Sequence, residues 1–406
     1  MTIRERRGVV GWAALLLALA VAAPVSADWE KGVAAYKSKD WAAAATEFEE
    51  VTKTNPDFAG GYYMLGICQS NLNQLSPAVA NLRKAVELEG DNAQYKLALC
   101  QALAKTGEYQ QAYSLLKPLS IGSLDPRLRS NYALLFAQAA TKTNRPEEAI
   151  QVLDGQIKAD GKNDRLYQAL GVAYNDAGND GKAFGAFKSA FELNPKNQDV
   201  GRSAVHSGIA AARRASSDSQ KNRHYSDTAQ IAERLVAAAP TFEHKLLAGE
   251  AWLGAKNYQK ALSWFDQAQT NQPNNVLVRY YRAQCKTSLN QLDGAIDELQ
   301  QALRIGASGK LRNQIYTQMG YVYDKKGDYN KAADAYQEAG NSRKVTEMRD
   351  KEAAAAQNRQ ADEEQRRLRQ NIEALELQIQ ELEKIGEMDD ANELRKQLEE
   401  LKKHLQ

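Results

Sequence analysis

Of 406 residues only nine are proline, four histidine and three cysteine, and each scarcity removes a class of protein. An odd set of three cysteines cannot supply the disulfide framework that small secreted folds depend on. Cys68, Cys100 and Cys285 read instead as buried small hydrophobes, with a Cys68–Cys100 bridge between neighbouring helices as the alternative. No histidine or acid is spaced to activate any of them as a nucleophile. His206, His224, His244 and His404 make no metal-ligand spacing with acids or cysteines, so no metal site is expected. Few prolines, beside abundant Ala, Leu, Glu, Lys and Gln, point to an all-α chain.

A surplus of one charge is also missing, with 53 basic residues against 51 acidic ones. One long apolar run occurs, from Val9 to Ala23, after Arg4, Arg6 and Arg7 and before the small residues Val25-Ser26-Ala27. This is the pattern of an export signal over residues 1–27, cleaved before Asp28. The competing reading is an uncleaved membrane anchor. Arg6-Arg7 alone says little about route, and no cysteine stands at the cleavage site to carry a lipid. The expected location is therefore periplasmic or secreted, without membrane insertion once the signal is removed. Cleavage takes away three arginines and Glu5, leaving 50 basic and 50 acidic residues. A neutral mature chain offers no bulk electrostatic case for nucleic acid or an anionic membrane.

Two stretches imitate ligand loops and fail. Gly155 to Asn163 has five residues between its glycines, Asn163 where a phosphate loop needs Ser or Thr, and no preceding strand. Asp176 to Phe187 resembles a calcium loop until its twelfth position, where Phe187 replaces the required bidentate Glu. No catalytic residue and no cofactor is expected.

What the sequence does contain is a repeat. In Tyr167 to Pro195, Leu170 and Tyr174 share one face of a first helix, and Ala183, Phe187 and Ala190 one face of a second. Gly171 and Ala183 are small where the two axes would come closest. Residues 177–180 break the helix, and Pro195 stops the second. Such helices are marginal alone and need neighbours to cover their apolar faces. The spacing of Tyr167, Leu170, Gly171, Tyr174, Ala183, Phe187 and Pro195 resembles the tetratricopeptide repeat, with Tyr in place of the opening Trp. That resemblance implies a right-handed α-solenoid of helix pairs.

The pattern continues along the chain. The position of Ala183 is also held by Ala44, Ala78, Ala112, Ala149, Ala261, Ala295 and Ala332, with Thr228 in one irregular unit. The glycine position recurs at Gly32, Gly66, Gly249 and Gly320, with Cys100, Ala137 and Ala283 as small stand-ins. About nine units fit residues 28–342. The sixth is longer, and its excess, the polar and basic Arg213 to Arg223, reads as an enlarged loop between helices.

Residues 343–406 differ in composition. A charged helical stretch leads to Leu368, Ile372, Leu375, Ile379 and Leu382, a coiled-coil spacing that resumes at Leu394, Leu398, Leu401 and Leu405. The turn-like Gly386 to Asp390 favours an antiparallel helical hairpin over one long helix dimerising in parallel. The hairpin makes residues 366–406 a monomer by themselves, whereas the parallel alternative makes them a segment for self-association.

A second face of each first helix carries the functional expectation. Its candidate partner-binding residues are Trp29, Tyr36, Tyr63, Ile67, Gln101, Gln138, Gln168, Asn175, Glu250, Tyr280, Gln284, Tyr321 and Asp324. Similarity to tetratricopeptide proteins implies that this side lines a concave groove for a protein or peptide. Mixed aromatics and amides suit recognition better than catalysis. Members that grip a terminal carboxylate use Lys and Asn where Trp29 and Val33 stand, so that specificity is not carried over. The expected function is a non-enzymatic exported scaffold or adaptor. The alternative is a cell-envelope assembly or polysaccharide-secretion accessory factor, held to the membrane if its signal stays.

Overall fold

A computed structural model describes residues 27–404, and among them there are twenty α-helices and no strand. The expected export segment, apart from Ala27, lies outside the described residues, as does Leu405. No described helix is long and apolar enough to cross a membrane. The chain forms two compact units that meet in sequence at Lys256 and Asn257.

The first unit runs α1 (Ala27–Lys37), α2 (Trp41–Thr54), α3 (Ala59–Asn71), α4 (Leu75–Leu88), α5 (Ala93–Thr106) and α6 (Tyr109–Leu116). It continues with α7 (Pro126–Lys142), α8 (Pro146–Ala159), α9 (Asp164–Asp176), α10 (Asp180–Leu193), α11 (Gln198–Arg214), α12 (Asp218–Ala238) and α13 (Phe242–Gly254). The second holds α14 (Tyr258–Asn271), α15 (Val276–Ser288), α16 (Leu292–Ile305), α17 (Gly309–Lys326), α18 (Tyr329–Glu338), α19 (Ser342–Ile385) and α20 (Met388–Lys403).

Local chemistry sets the turns. One residue in the left-handed region reverses the chain after the first helix of most pairs, at Lys39, Asn73, Gly107, Asn144 and Gly178 in the first unit. Side-chain caps then start the next helix, as where Asp40 accepts from the Ala43 amide at 3.1 Å and Asn179 from the Lys182 amide at 3.1 Å.

Packing within a pair depends on small residues. A methyl group on Gly171 would sit 2.6 Å from the Phe187 ring, and one on Gly66 2.6 Å from Leu82. The same relation joins Gly32 to Phe48 and Gly320 to Tyr336. The recurring alanines from Ala44 to Ala332 are all buried. In the first unit α3 touches α5, α5 touches α7, α7 touches α9 and α11 touches α13; in the second α15 touches α17. Each pair therefore meets only its neighbours in the stack, the arrangement of an α-solenoid.

The sixth pair corrects one expectation. Residues 213–223 are not an enlarged loop, because α11 runs through Arg214 and α12 starts at Asp218. Ser217 caps α12 by accepting from the Gln220 amide at 3.2 Å, so the extra residues lengthen two helices to 17 and 21 residues. Thr228, at the alanine position, is accommodated opposite Gly208, where a Cβ would lie 2.1 Å from its hydroxyl.

α19 closes the second unit through Val345 and Met348, both buried with α18 residues such as Tyr336. It then continues as one 44-residue helix. Gly386, at φ +89°, reverses the chain so that α20 packs back on α19 around Ile372, Ile379, Ala391 and Leu398.

Candidate functional site

First helices of successive pairs lie side by side, and polar bonds join them. Gln94 Nε2 donates to the Tyr63 hydroxyl at 2.9 Å, Lys105 Nζ to the Ser70 hydroxyl at 3.0 Å, and Ser207 Oγ to Asn175 Oδ1 at 3.1 Å. These bonds join α3 to α5 and α9 to α11, the helices that carry the candidates Tyr63, Ile67, Gln101, Gln168 and Asn175. Tyr280, Gln284, Tyr321 and Asp324 belong to the second unit.

Exposure separates presented residues from packed ones. Gln101, Gln138, Asn175 and Tyr321 are exposed, whereas Trp29, Tyr36, Ile67, Gln168, Glu250, Tyr280, Gln284 and Asp324 are half-buried. Tyr63 is buried at 4% exposure, with its ring centroid 4.8 Å from that of Tyr95. The expectation that Tyr63 presents its ring to a partner is therefore corrected. Its neighbouring first helix stacks on it, and burial raises its pKa.

Trp29 meets Phe48 and Phe58 edge to face at 5.3 and 5.2 Å, and Tyr36 meets Trp41 at 5.2 Å. Burial pushes the Tyr36 hydroxyl up to about 12. Asp324 receives Lys351 of α19 at 2.8 Å. Tyr321, 47% exposed, lies under Lys325 at 5.8 Å. Burial raises the Tyr280 pKa, against a smaller opposing effect of its hydrogen bond with Gln284.

One position of the first helix emerges as a column. Gln101, Gln138, Val172 and His206 are all exposed, and they occupy corresponding places on α5, α7, α9 and α11. Val172, at 43%, is among the more exposed large hydrophobics, although buried Gly171 precedes it and buried Ala173 follows. The column holds no acid, lysine or arginine. Two clefts open elsewhere, beside the eight-residue α6. One is lined by Val86, Leu99 and Leu115, the other by Tyr132, Phe136 and Val152.

The sequence reading missed a buried charge cluster. Arg279, Arg282 and Lys286 occupy the packing positions that Tyr167, Leu170 and Tyr174 hold in the fifth repeat. All three reach Glu298 of α16, at 3.0, 3.1 and 2.8 Å, and Glu298 is only 5% exposed. Three cations at packing positions were the available signal. The cluster replaces part of an apolar core, and its bonds are internal to the second unit.

The described residues hold no group of three or more His, Cys, Asp or Glu able to bind a metal ion. Cys68, Cys100 and Cys285 are free and buried, and burial pushes each thiol up to about 12. At neutral pH they are thiols, not nucleophilic thiolates.

Comparison with known proteins places these helix pairs. The family model described as "Anaphase-promoting complex, cyclosome, subunit 3" matches residues 71–156 and 221–302, and the "Tetratricopeptide repeat" model matches 314–339. "Superkiller protein 3" of Schizosaccharomyces pombe is 20% identical over 297 residues, covering 72% of this chain and 16% of that protein. "Heat shock protein STI1" of Saccharomyces cerevisiae is 22% identical over 326 residues, covering 74% of this chain and 52% of that protein. The chain thus spans about a sixth of the first relative and about half of the second. The crystal structure of the "P58(IPK) TPR Domain" aligns with 82% of this chain and 99% of its own, at 15% identity and a TM-score of 0.28. On the two family models and the recurring contact of a small residue with a ring or leucine, the chain is built of tetratricopeptide repeats.

Proposed function

We propose that this protein is a non-enzymatic, exported scaffold that holds a protein or peptide along the first helices of its repeats. The observation that carries the reading is the column Gln101, Gln138, Val172 and His206. Four corresponding positions stay exposed while their neighbours are buried, and one of them is a β-branched apolar residue. Amides and aliphatic carbons together can pair with a peptide backbone and cover its side chains. Tetratricopeptide repeats are interaction scaffolds, which agrees with a face built for contact. Export rests on Arg4, Arg6 and Arg7, the apolar run after them, and Val25-Ser26-Ala27.

A photo-reactive residue placed singly at 138 or 172 tests the binding face. Adducts with one same partner from both positions, and none from exposed Gln151 on the second helix α8, support the proposal. Equal labelling from 151 contradicts it. N-terminal sequencing of the exported product tests the signal: a chain beginning at Asp28 supports cleavage, and a membrane-bound chain retaining Met1 shows an anchor.

A further inference from the structure

The hairpin of α19 and α20 has two unlike edges. Glu376 pairs with Lys402 at 2.9 Å, and Glu383 pairs with Arg395. These contacts fix the antiparallel register and close one edge with charge. In the heptad they define, the same edge flanks Ile372, Ile379, Ala391 and Leu398, all of which are buried.

The opposite edge carries no such pairs. In the same register it places Asn371 opposite His404, Gln378 opposite Gln397, and Ile385 opposite Asp390, and all six are exposed. The leucines beside this edge, Leu368, Leu375, Leu382, Leu394 and Leu401, are only partly buried. Ile385 is 69% exposed. The hairpin therefore has one side closed by ion pairs and one open side, where partly buried leucines lie behind a mostly neutral polar rim with Asp390 as its one acid.

The repeats of the second unit do not cover that side. Val345 and Met348 end the repeat core, and residues 356–367 are exposed throughout. The exposed stretch alone is about 18 Å long at 1.5 Å per residue.

We propose that the open edge seats the same edge of a second copy, making an isologous four-helix dimer whose core is the two leucine rows. The choice of occupant follows from charge. A two-fold contact sets an edge against itself, so a charged edge would repel its own image. Amide and imidazole rims avoid that penalty and can hydrogen-bond across the axis, whereas they give no hold on an oppositely charged partner. This deepens the reading of residues 366–406 as a self-association segment.

Sedimentation equilibrium of the full chain over a dilution series tests it. The wild type should show a dimer mass that falls on dilution. Asn371→Lys combined with Ile385→Lys should give the mass of a single chain, with circular dichroism and melting unchanged. This pair charges the open edge without setting two new cations opposite each other, because Ile385 faces Asp390. If the double variant loses helicity, Asn371→Lys alone should still weaken the dimer. A wild type that stays monomeric overturns both the edge and the self-association reading. A variant dimer as stable as the wild type overturns the edge alone and places association elsewhere.

Discussion

The Tyr63 ring lies on the Tyr95 ring of the next first helix, with centroids 4.8 Å apart and planes 27° from parallel. Both side chains are buried, so this aromatic contact belongs to the joint between repeats. Tyr63→Ala should lower stability by about 3 kcal/mol or more, as large-to-small changes of buried aromatics do. Chemical denaturation checks it. A loss below about 0.5 kcal/mol, the level of an exposed substitution, would return Tyr63 to the surface.

Gly171 is the closest approach within its pair. An added methyl would lie 2.6 Å from Phe187, whose own ring is 2% exposed and has little room to yield. Gly171→Ala should cost on the order of 1–3 kcal/mol despite the better helix propensity of alanine. Gly185, on the second helix of the same repeat, would meet nothing within 4 Å, so Gly185→Ala should stabilise by up to about 1 kcal/mol. Thermal melts of the two variants should move in opposite directions.

Glu298 is the carboxylate shared by Arg279, Arg282 and Lys286. Glu298→Leu leaves Arg279 and Lys286 without their carboxylate in a partly buried site, while Arg282 keeps Asp266 at 2.9 Å, and should destabilise by about 3–5 kcal/mol. Because the cluster lies in the second unit, the loss should appear as early hydrogen exchange in α15 and α16. Uniform exchange across all helices would contradict that placement.

The three thiols bear on alkaline stability. Their ordinary value of 9.0 rises to about 12 in the folded chain because burial disfavors the thiolate. The raised value favours the protonated form, so its contribution is intact below pH 9 and is lost as pH climbs toward 12. Native protein should resist a thiol reagent at pH 8 and react at three sites when denatured. A Cys68–Cys100 cross-linked peptide in the native protein would contradict the free, buried state.

The helix pairs were legible because their signal is local and repeated. Gly171 with Phe187, or Gly66 with Leu82, records a close approach at a fixed spacing, and that spacing survives when other residues change. Exposure was harder to read. Tyr63 and Gln101 occupy the same broad face of successive first helices, yet one is buried by its neighbour and the other is free. That outcome depends on the ring of Tyr95, 32 positions away from Tyr63, and not on helical periodicity. The added residues near Arg213 read as a loop because they are polar. A polar stretch with a Ser217 cap also suits the solvent side of a longer helix, and that is what forms.

The measurement that most directly tests the central claim pairs partner capture with thermal melting for Gln138→Lys combined with Val172→Lys. Both positions are exposed, so the melt should change little, by about 0.5 kcal/mol or less per substitution. Placing two cations on the proposed face should weaken capture of the partner cross-linked at 138 and 172 by tenfold or more, equivalent to about 1.4 kcal/mol. Unchanged capture with a normal melt would contradict the account and remove the first-helix column as the binding surface.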